Sequence, residues 1–430
     1  MHRKTRRVHG RPDVRGGHAL ARDRSCVRVA SRDFKRPFAR PSMADSRRRA
    51  RVAVVGLGGW TQGWHLPNLQ HRDDASIVAV VDPAEQPGVG GCVPTLCEPT
   101  AAVAAKYGAK RFASIDAALA DSSLALDGVL VAVPHVHHAA VATKVLEAGL
   151  HLLVEKPMTA DVAEARALLE LSRARPAQCF LLNNTANWQA GTRAAAEAVA
   201  SGRLGELRAV NCVFAAPLGW LFEGEAHASW HRPAAGMAGN GFGFGQFSHT
   251  FAWVYAVTQL TPKTVYAVLS KSAATGADLY DAVTITCTNG ATISATGVGA
   301  CPDKGFKVVG NWLFGTAGML SYSGLAGSDN VQLEEGATKE RDVAGAASGP
   351  RLEIWTNDGA HERGPPFEFE HLEQDGPGPG SLDAFVKACN GENFYEGAGP
   401  HVGLKAVATI EAIYRSAQAG GPVEVSDGCA

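Results

Sequence analysis

Arg51-Val-Ala-Val-Val55 runs straight into Gly56-Leu-Gly-Gly-Trp-Thr61, and an amphipathic stretch from Gln62 to Gln70 follows. A short apolar strand, a glycine turn and a helix in that order open a nucleotide-binding βα unit. Glycines at such a turn let the backbone come close to a pyrophosphate, while the helix N-terminus offers N–H groups and the positive end of its dipole. The spacing matches G-x-G-x-x-G with the last glycine replaced by Thr61. A second apolar strand, Ile77 to Val81, ends in Asp82, 26 residues after Gly56. An acid at that strand end is placed to bind a ribose 2′-hydroxyl, and its charge repels a 2′-phosphate. The expected cofactor is therefore NAD, with NADP possible, and the first expected contacts are Gly56, Gly58, Gly59, Trp60 and Asp82.

The alternation continues outward. After a loop rich in Pro, Gly and Cys (Pro87 to Pro99), the pattern predicts helices over Thr100 to Tyr107, Asp116 to Ala120 and His137 to Ala148. Between and after them, Gly128-Val-Leu-Val-Ala-Val133 and His151-Leu-Leu-Val154 are continuous apolar strands, as in a parallel sheet covered on both faces. One more helix (Asp161 to Arg173) and strand (Cys179 to Leu182) complete the wound pattern, and a helix from Thr192 to Ser201 leads into β-rich chain. Thr264 to Leu269, Ala282 to Thr288, Thr292 to Thr296 and Lys307 to Phe314 read as antiparallel strands between Gly/Asn turns. Leu325 to Gly380 is poor in apolar residues and reads partly as a mobile loop, and helices over Leu382 to Cys389 and Val402 to Ala419 follow. The fold class is α/β: a doubly wound Rossmann domain over 50–180, then a substrate domain over 181–425 with an open, mostly antiparallel sheet, its C-terminal helices free to pack back on the first domain. Apolar strands between Thr264 and Phe314 leave one face of that sheet open, so a homodimer or homotetramer through this face is expected.

With 430 residues the chain can bury two cores, and no run of eighteen or more apolar residues offers a membrane span, so no membrane partner is expected. Its net charge of −1 hides an asymmetry: residues 1–51 hold 17 Lys or Arg against 4 Asp, leaving 24 basic and 38 acidic residues, a balance of −14. The 1–49 segment reads as a basic tail, either an organellar transit peptide or a stretch ahead of a true start at Met43. The protein is then organellar or cytoplasmic. A cluster such as Arg47-Arg48-Arg49 could touch nucleic acid, but without a pattern it does not specify a nucleic-acid partner. Nine cysteines lack paired spacing; Cys92 and Cys97 have no second pair to complete a zinc site, and free thiols in a reducing compartment are expected.

Two further segments carry chemistry. Val133-Pro-His-Val-His-His138 closes the fourth strand at the ligand edge of the sheet, and three histidines in four residues raise the question of a metal. With no acidic or cysteine partner nearby, none is expected. Glu155-Lys-Pro157 follows the fifth strand, where the Lys-Pro bond aims Lys156 at the mouth of the site. A partly desolvated lysine beside a nicotinamide cation is usable as an acid or a base.

The glycine turn, Pro134 with His138, Ala148-Gly-Leu-His-Leu-Leu-Val-Glu-Lys-Pro157 and Ile410-Glu-Ala-Ile-Tyr-Arg-Ser416 together resemble the glucose-fructose oxidoreductase / inositol dehydrogenase (Gfo/Idh/MocA) family, over roughly Arg51 to Val425. The resemblance implies NAD or NADP, a sugar, inositol or polyol substrate, and Lys156 at the nicotinamide. It also places Pro134, His138 and Glu155 at the cofactor. Trp230-His-Arg232 followed by Gly239-Asn-Gly-Phe-Gly-Phe-Gly-Gln-Phe-Ser-His249 is similar to the family's W-R and G-G-G…D-x-G-x-H segment. His249 matches the catalytic histidine, whereas the expected aspartate is Gly245 and the expected glycine is Phe247. Asn183, Asn184 and Asn187 stand near a family N-x-R. Expected catalytic residues are Lys156 and His249; expected substrate contacts are Asn187, Trp230, Arg232 and Gln246. The leading reading is a dehydrogenase or reductase of a carbohydrate-like secondary alcohol or its ketone. Its rivals are an enzyme with tightly held NAD for redox-assisted elimination or glycoside cleavage, and a non-catalytic NAD(P)-binding sensor.

Overall fold

The structure, a computed structural model, describes residues 48–88, 97–234, 237–301, 306–327, 351–366 and 380–426. The basic tail before residue 48, Cys92 and most of the stretch expected as a mobile loop lie outside the described residues.

The first sheet contains β1 (Ala50–Val55), β2 (Ala75–Val81), β3 (Lys110–Phe112), β4 (Gly128–Val131), β5 (His151–Val154) and β6 (Phe180–Leu182). Its strands are all parallel, in the order β3-β2-β1-β4-β5-β6. The order reverses between β1 and β4, which opens a crevice at their carboxyl ends. Val52, Ala53 and Val54 of β1 and Val129 and Val131 of β4 are fully buried, as expected of central strands covered on both faces. Part of that cover comes from the far end of the chain. Helix Gly380–Cys389 packs on β5, β1 and β6, so closely that a Cβ at Gly128 would lie 2.6 Å from the Cys389 sulfur and 2.8 Å from the Phe385 ring.

The second sheet has nine strands: β7 (Leu207–Ala215), β8 (Pro262–Lys271), β9 (Asp278–Cys287), β10 (Thr292–Val298), β11 (Phe306–Gly315), β12 (Gly318–Gly327), β13 (Arg351–Thr356), β14 (His361–Pro366) and β15 (Val423–Glu424). They run in the order β14-β13-β12-β11-β7-β10-β9-β8-β15, antiparallel throughout except for β10 beside β7. Strict alternation along β9 buries Asp281, Val283, Ile285 and Cys287 beneath helices and leaves Tyr280, Ala282, Thr284 and Thr286 on the other face. That outer face carries Tyr266, Val268 and Tyr280, each about half exposed. Helix Pro400–Ala419 packs against helix Val162–Arg173 of the first layer and against helix Ser248–Thr258 and β8 of the second, joining both sheets into one body.

Three expectations are corrected. The stretch Gln62 to Gln70 is not one α-helix but a five-residue π-helical turn, Thr61–His65, followed by helix Leu66–Gln70. The wider turn lets Thr61, Trp64 and His65 all face inward. Strands β13 and β14 form a hairpin inside the stretch read partly as loop, for which no strand was expected, because Leu352 and Ile354 alternate into the core amid Gly- and Pro-rich chain. Central strand β7 was not anticipated at all. Among the described residues no helix is long and apolar enough to cross a membrane, and Cys97, Cys179, Cys212, Cys287, Cys301 and Cys389 are free thiols.

Candidate cofactor and proton-transfer site

At the crevice between β1 and β4, Gly56 adopts φ +88°, and a Cβ there would run into the Ala132 carbonyl that ends β4. Only glycine fits. The turn is pinned from the other side by Asp82, whose carboxylate accepts the Leu57 N–H (2.8 Å) and the Ala84 N–H (2.9 Å). A carboxylate has about four acceptor positions, so capacity remains for ribose hydroxyls. Pro134 caps the short 3-10 turn His135–His137 just beyond β4.

Glu155, at the end of β5, is buried and surrounded by donors. Its Oε1 accepts from Trp60 Nε1 (2.6 Å) and Asn183 Nδ2 (2.6 Å) and pairs with His65 Nε2 (2.8 Å), while Oε2 accepts the Lys156 N–H (3.1 Å). Burial pushes this carboxyl up, but the His65 hydrogen bond and charge, Lys156 and Asn183 outweigh it and hold the group down to about 2. Glu155 is thus an ionised knot tying the glycine-turn helix, β5 and the end of β6 together. The next peptide, Lys156-Pro157, is cis.

Lys156 reaches out of the first domain. Its Nζ donates to the Gly245 carbonyl (3.0 Å) and lies 5.0 Å from the centre of the Trp230 ring. Gly245 belongs to a second π-helical turn, Gly243–Phe247, that leads into helix Ser248–Thr258. His249 is partly exposed in the first turn of that helix, four residues after Gly245, and Gln246 is buried in the π turn. The Lys156 ammonium therefore meets the main chain four residues before His249.

Residues 50–182 match the model of an oxidoreductase family with an NAD-binding Rossmann fold, and residues 192–321 match the Gfo/Idh/MocA C-terminal domain. The chain belongs to the Gfo/Idh/MocA oxidoreductase family. It is similar to an inositol 2-dehydrogenase of Leifsonia xyli subsp. xyli, 41% identical over 122 residues, which are 27% of this chain and 35% of the relative. It is likewise 41% identical over 125 residues to a UDP-N-acetylglucosamine 3-dehydrogenase of Acidithiobacillus ferrooxidans, covering 29% of this chain and 34% of that protein. The chain thus matches about a third of the length of these curated relatives. Among solved structures, GenD2 from gentamicin A biosynthesis in complex with NAD shares the fold at TM-score 0.59 and 24% identity, covering 90% of this chain and 99% of that one. So does the Bordetella pertussis WlbA dehydrogenase in complex with NADH and UDP-GlcNAcA, at TM-score 0.61 and 19% identity over 89% and 100% of the two chains.

This family member differs inside the site from what its motifs suggested. His138 is fully buried; its ring nitrogens lie 2.7 Å from the Pro157 carbonyl and 2.9 Å from the Val133 carbonyl, so it clamps the Lys-Pro turn to the end of β4 and does not face the crevice. Burial lowers its pKa against the opposing pull of those carbonyls. Asn187 braces the interior: it is fully buried and donates to the Ala252 and Gly397 carbonyls. Arg232 is exposed, with its carbonyl accepting from Asn240. Trp230 lies with its ring against the Lys156 ammonium.

Several residues at the site are given no role by the sequence patterns. His135 meets the Trp230 ring edge-on at 5.0 Å, and burial, His138 and Lys156 hold its pKa well below the usual value. His65 and Asn183 belong to the Glu155 knot. Asp278 of β9 anchors the second π turn, accepting the Gly243 N–H (2.7 Å) and the Tyr414 hydroxyl (2.8 Å). Beside it Asp281 is buried, and neither of its oxygens accepts from an N–H or hydroxyl donor. The Asp278 carboxylate beside it acts on it by charge. Burial and the Asp278 charge push it up to about 9. Among the described residues no group of three His, Cys, Asp or Glu side chains could hold a metal ion.

Proposed function

We propose that the protein is an NAD-dependent dehydrogenase or reductase that interconverts a secondary alcohol and its ketone on a sugar, inositol or related polyol. The observation that carries this reading is the Lys156 ammonium, held beside the second-domain π turn at the mouth of the nucleotide crevice. Bound NAD supplies the hydride acceptor for such chemistry. The residues present fit that cofactor: the glycine turn at Gly56, Gly58 and Gly59 admits a pyrophosphate, and Asp82 keeps acceptor capacity for a ribose. Lys156 carries the proton of the substrate oxygen, accepting it as the free amine when the alcohol is oxidised and returning it as the ammonium when the ketone is reduced; His249 assists, and Trp230 and Gln246 bound the substrate. The carboxylate on Asp82 favours NAD over NADP.

The test is a panel of sugars, inositols and diols offered with NAD and with NADP, recording nicotinamide absorbance and product together. One reduced cofactor per ketone is expected. Product without net reduced cofactor supports redox-assisted elimination or glycoside cleavage instead. Binding without product supports a sensor, a rival that Gly245 in place of the family aspartate favours.

We further propose self-association through the outer face of the second sheet around Tyr266, Val268 and Tyr280, which light scattering at micromolar concentration checks; a monomer removes it. The body is read as cytoplasmic, or organellar if the Arg-rich start is a transit peptide. A chain beginning at Met43 should match the full chain in thermal stability and NAD affinity, and a deficit in either overturns the reading of the tail as dispensable.

A further inference from the structure

Position 245 has no side chain, and the space one would occupy is already filled. A Cβ on Gly245 would lie 3.0 and 3.2 Å from the Cζ and Cε1 atoms of Phe222 and 3.8 Å from Cε3 of Trp230. Phe222 cannot readily yield that space: it is fully buried, its ring packs against Phe242 at 6.4 Å, and its carbonyl accepts from the Thr275 hydroxyl (2.8 Å). Trp230 is steadied by His135, edge-on at 5.0 Å. The face of Trp230 is turned to the Lys156 ammonium at 5.0 Å, while the Gly245 carbonyl takes one of its hydrogens.

The Glu155 carboxylate acts on this cation by charge from the first domain, and the His135 and His138 imidazoles lie near it; a carbonyl dipole and an aromatic face are the partners offered from the side of position 245. The negative face of an indole attracts an ammonium by about 0.5 to 2 kcal/mol, the larger value when water is excluded. We propose that Trp230 positions and stabilises the Lys156 ammonium in place of a side chain at position 245, with Phe222 as the wall that keeps Trp230 and the Gly245 carbonyl in register. Trp230 is a positioning residue: it acts on the group that moves the proton and moves none itself. The proposal rests on the reading of Lys156 as the proton-transfer group, but the arrangement it describes is measurable without turnover.

The test is the pH dependence with which Lys156 reacts with an amine-selective acylating reagent, quantified by mass spectrometry of its peptide, in the full chain. Wild type, Trp230→Phe and Trp230→Leu are compared, with circular dichroism and Tm reporting folding. Removing the indole should move the half-labelling pH of Lys156 downward by about 0.4 to 1.5 units, the cation–π range converted at 1.36 kcal/mol per unit. Trp230→Phe should recover part of that shift, which a packing role alone would not produce. Where Trp230→Leu fails to fold, Trp230→Phe and a second background carry the test. In Phe222→Ala with Gly245→Asp the new carboxylate has room to meet Lys156, so the further change Trp230→Phe should matter less there than in wild type. Identical half-labelling pH in wild type and folded Trp230 variants overturns the proposal. Loss of turnover without any shift leaves Lys156 as the proton carrier and removes Trp230 from its support; a shift in a protein that turns over no alcohol keeps the contact and overturns the dehydrogenase reading.

Discussion

Two π-helical turns flank the candidate site, and they hold it by different chemistry. The first, Thr61–His65, contributes side chains: His65 and the preceding Trp60 converge with Asn183 on one ionised carboxylate. The second, Gly243–Phe247, contributes backbone: its Gly243 N–H is anchored by Asp278 and its Gly245 carbonyl receives Lys156. Apart from Gln246, that turn is glycine and phenylalanine, which leaves the main chain as most of its polar surface. A π turn sets successive residues on a wider spiral than an α-helix, which suits both uses. The first domain therefore fixes Lys156 from below through charge, and the second receives it through dipoles and aromatic faces.

The comparison breaks most visibly at Glu155. Glu155→Ala strands the Trp60, Asn183 and His65 donors in a buried space, and a loss of about 3 to 5 kcal/mol in denaturant unfolding is expected. A loss below about 1 kcal/mol would show that the knot is ornamental. On the second side, Gly245→Asp alone should destabilise by about 1 to 3 kcal/mol, because the added atoms meet the Phe222 ring. Pairing it with Phe222→Ala should relieve that crowding, although the smaller side chain brings a cavity cost of its own; no relief in the pair would place the strain elsewhere.

On the first side the nucleotide turn and the Glu155-Lys-Pro157 segment were legible because they are local, whereas the knot itself joins residues 28 to 95 apart. Val52 to Gly58 and Asp82 sit in one βα unit, and Glu155-Lys-Pro157 follows its strand directly. The second side depends on contacts distant in sequence. Phe222 and Gly245 meet only after folding, and nothing about Asp278 in an alternating strand marks it as the anchor of a turn 35 residues earlier. Strand β7 escaped notice because Arg208 and Asn211 interrupt its apolar run, yet pairing with β10 and β11 places it mid-sheet. The burial of Asn187, which the family resemblance places near the substrate, depends likewise on tertiary packing against Ala252 and Gly397.

Smaller effects sharpen the contrast. Asp82→Ala should weaken NAD binding by about 1 to 3 kcal/mol and relax rejection of NADP, since it removes both a ribose acceptor and the brace on Leu57 and Ala84. An unchanged NAD/NADP ratio in calorimetric titration would move selectivity to another residue. The second side should carry a pH signature through Asp281. In the unfolded chain this carboxyl ionises near about pH 4, whereas in the folded protein it keeps its proton up to about 9. Between those values the folded state binds more protons, so the contribution of Asp281 to stability falls as pH rises. Asp281→Asn should remove that slope, leaving Tm close to wild type near pH 4 and above it at pH 8 to 9. Parallel Tm curves for the two proteins would mean that Asp281 is already ionised.

The account stands or falls on Lys156, where the two sides meet. The decisive measurement is turnover and NAD affinity determined side by side for wild type, Lys156→Met and His249→Asn with one polyol that the wild type oxidises. Methionine keeps much of the side-chain bulk but cannot carry the proton, so turnover should fall by about two to four orders of magnitude while the NAD dissociation constant stays within about twofold, and His249→Asn should lose less. Wild-type turnover in Lys156→Met would contradict the assignment of proton transfer to this lysine.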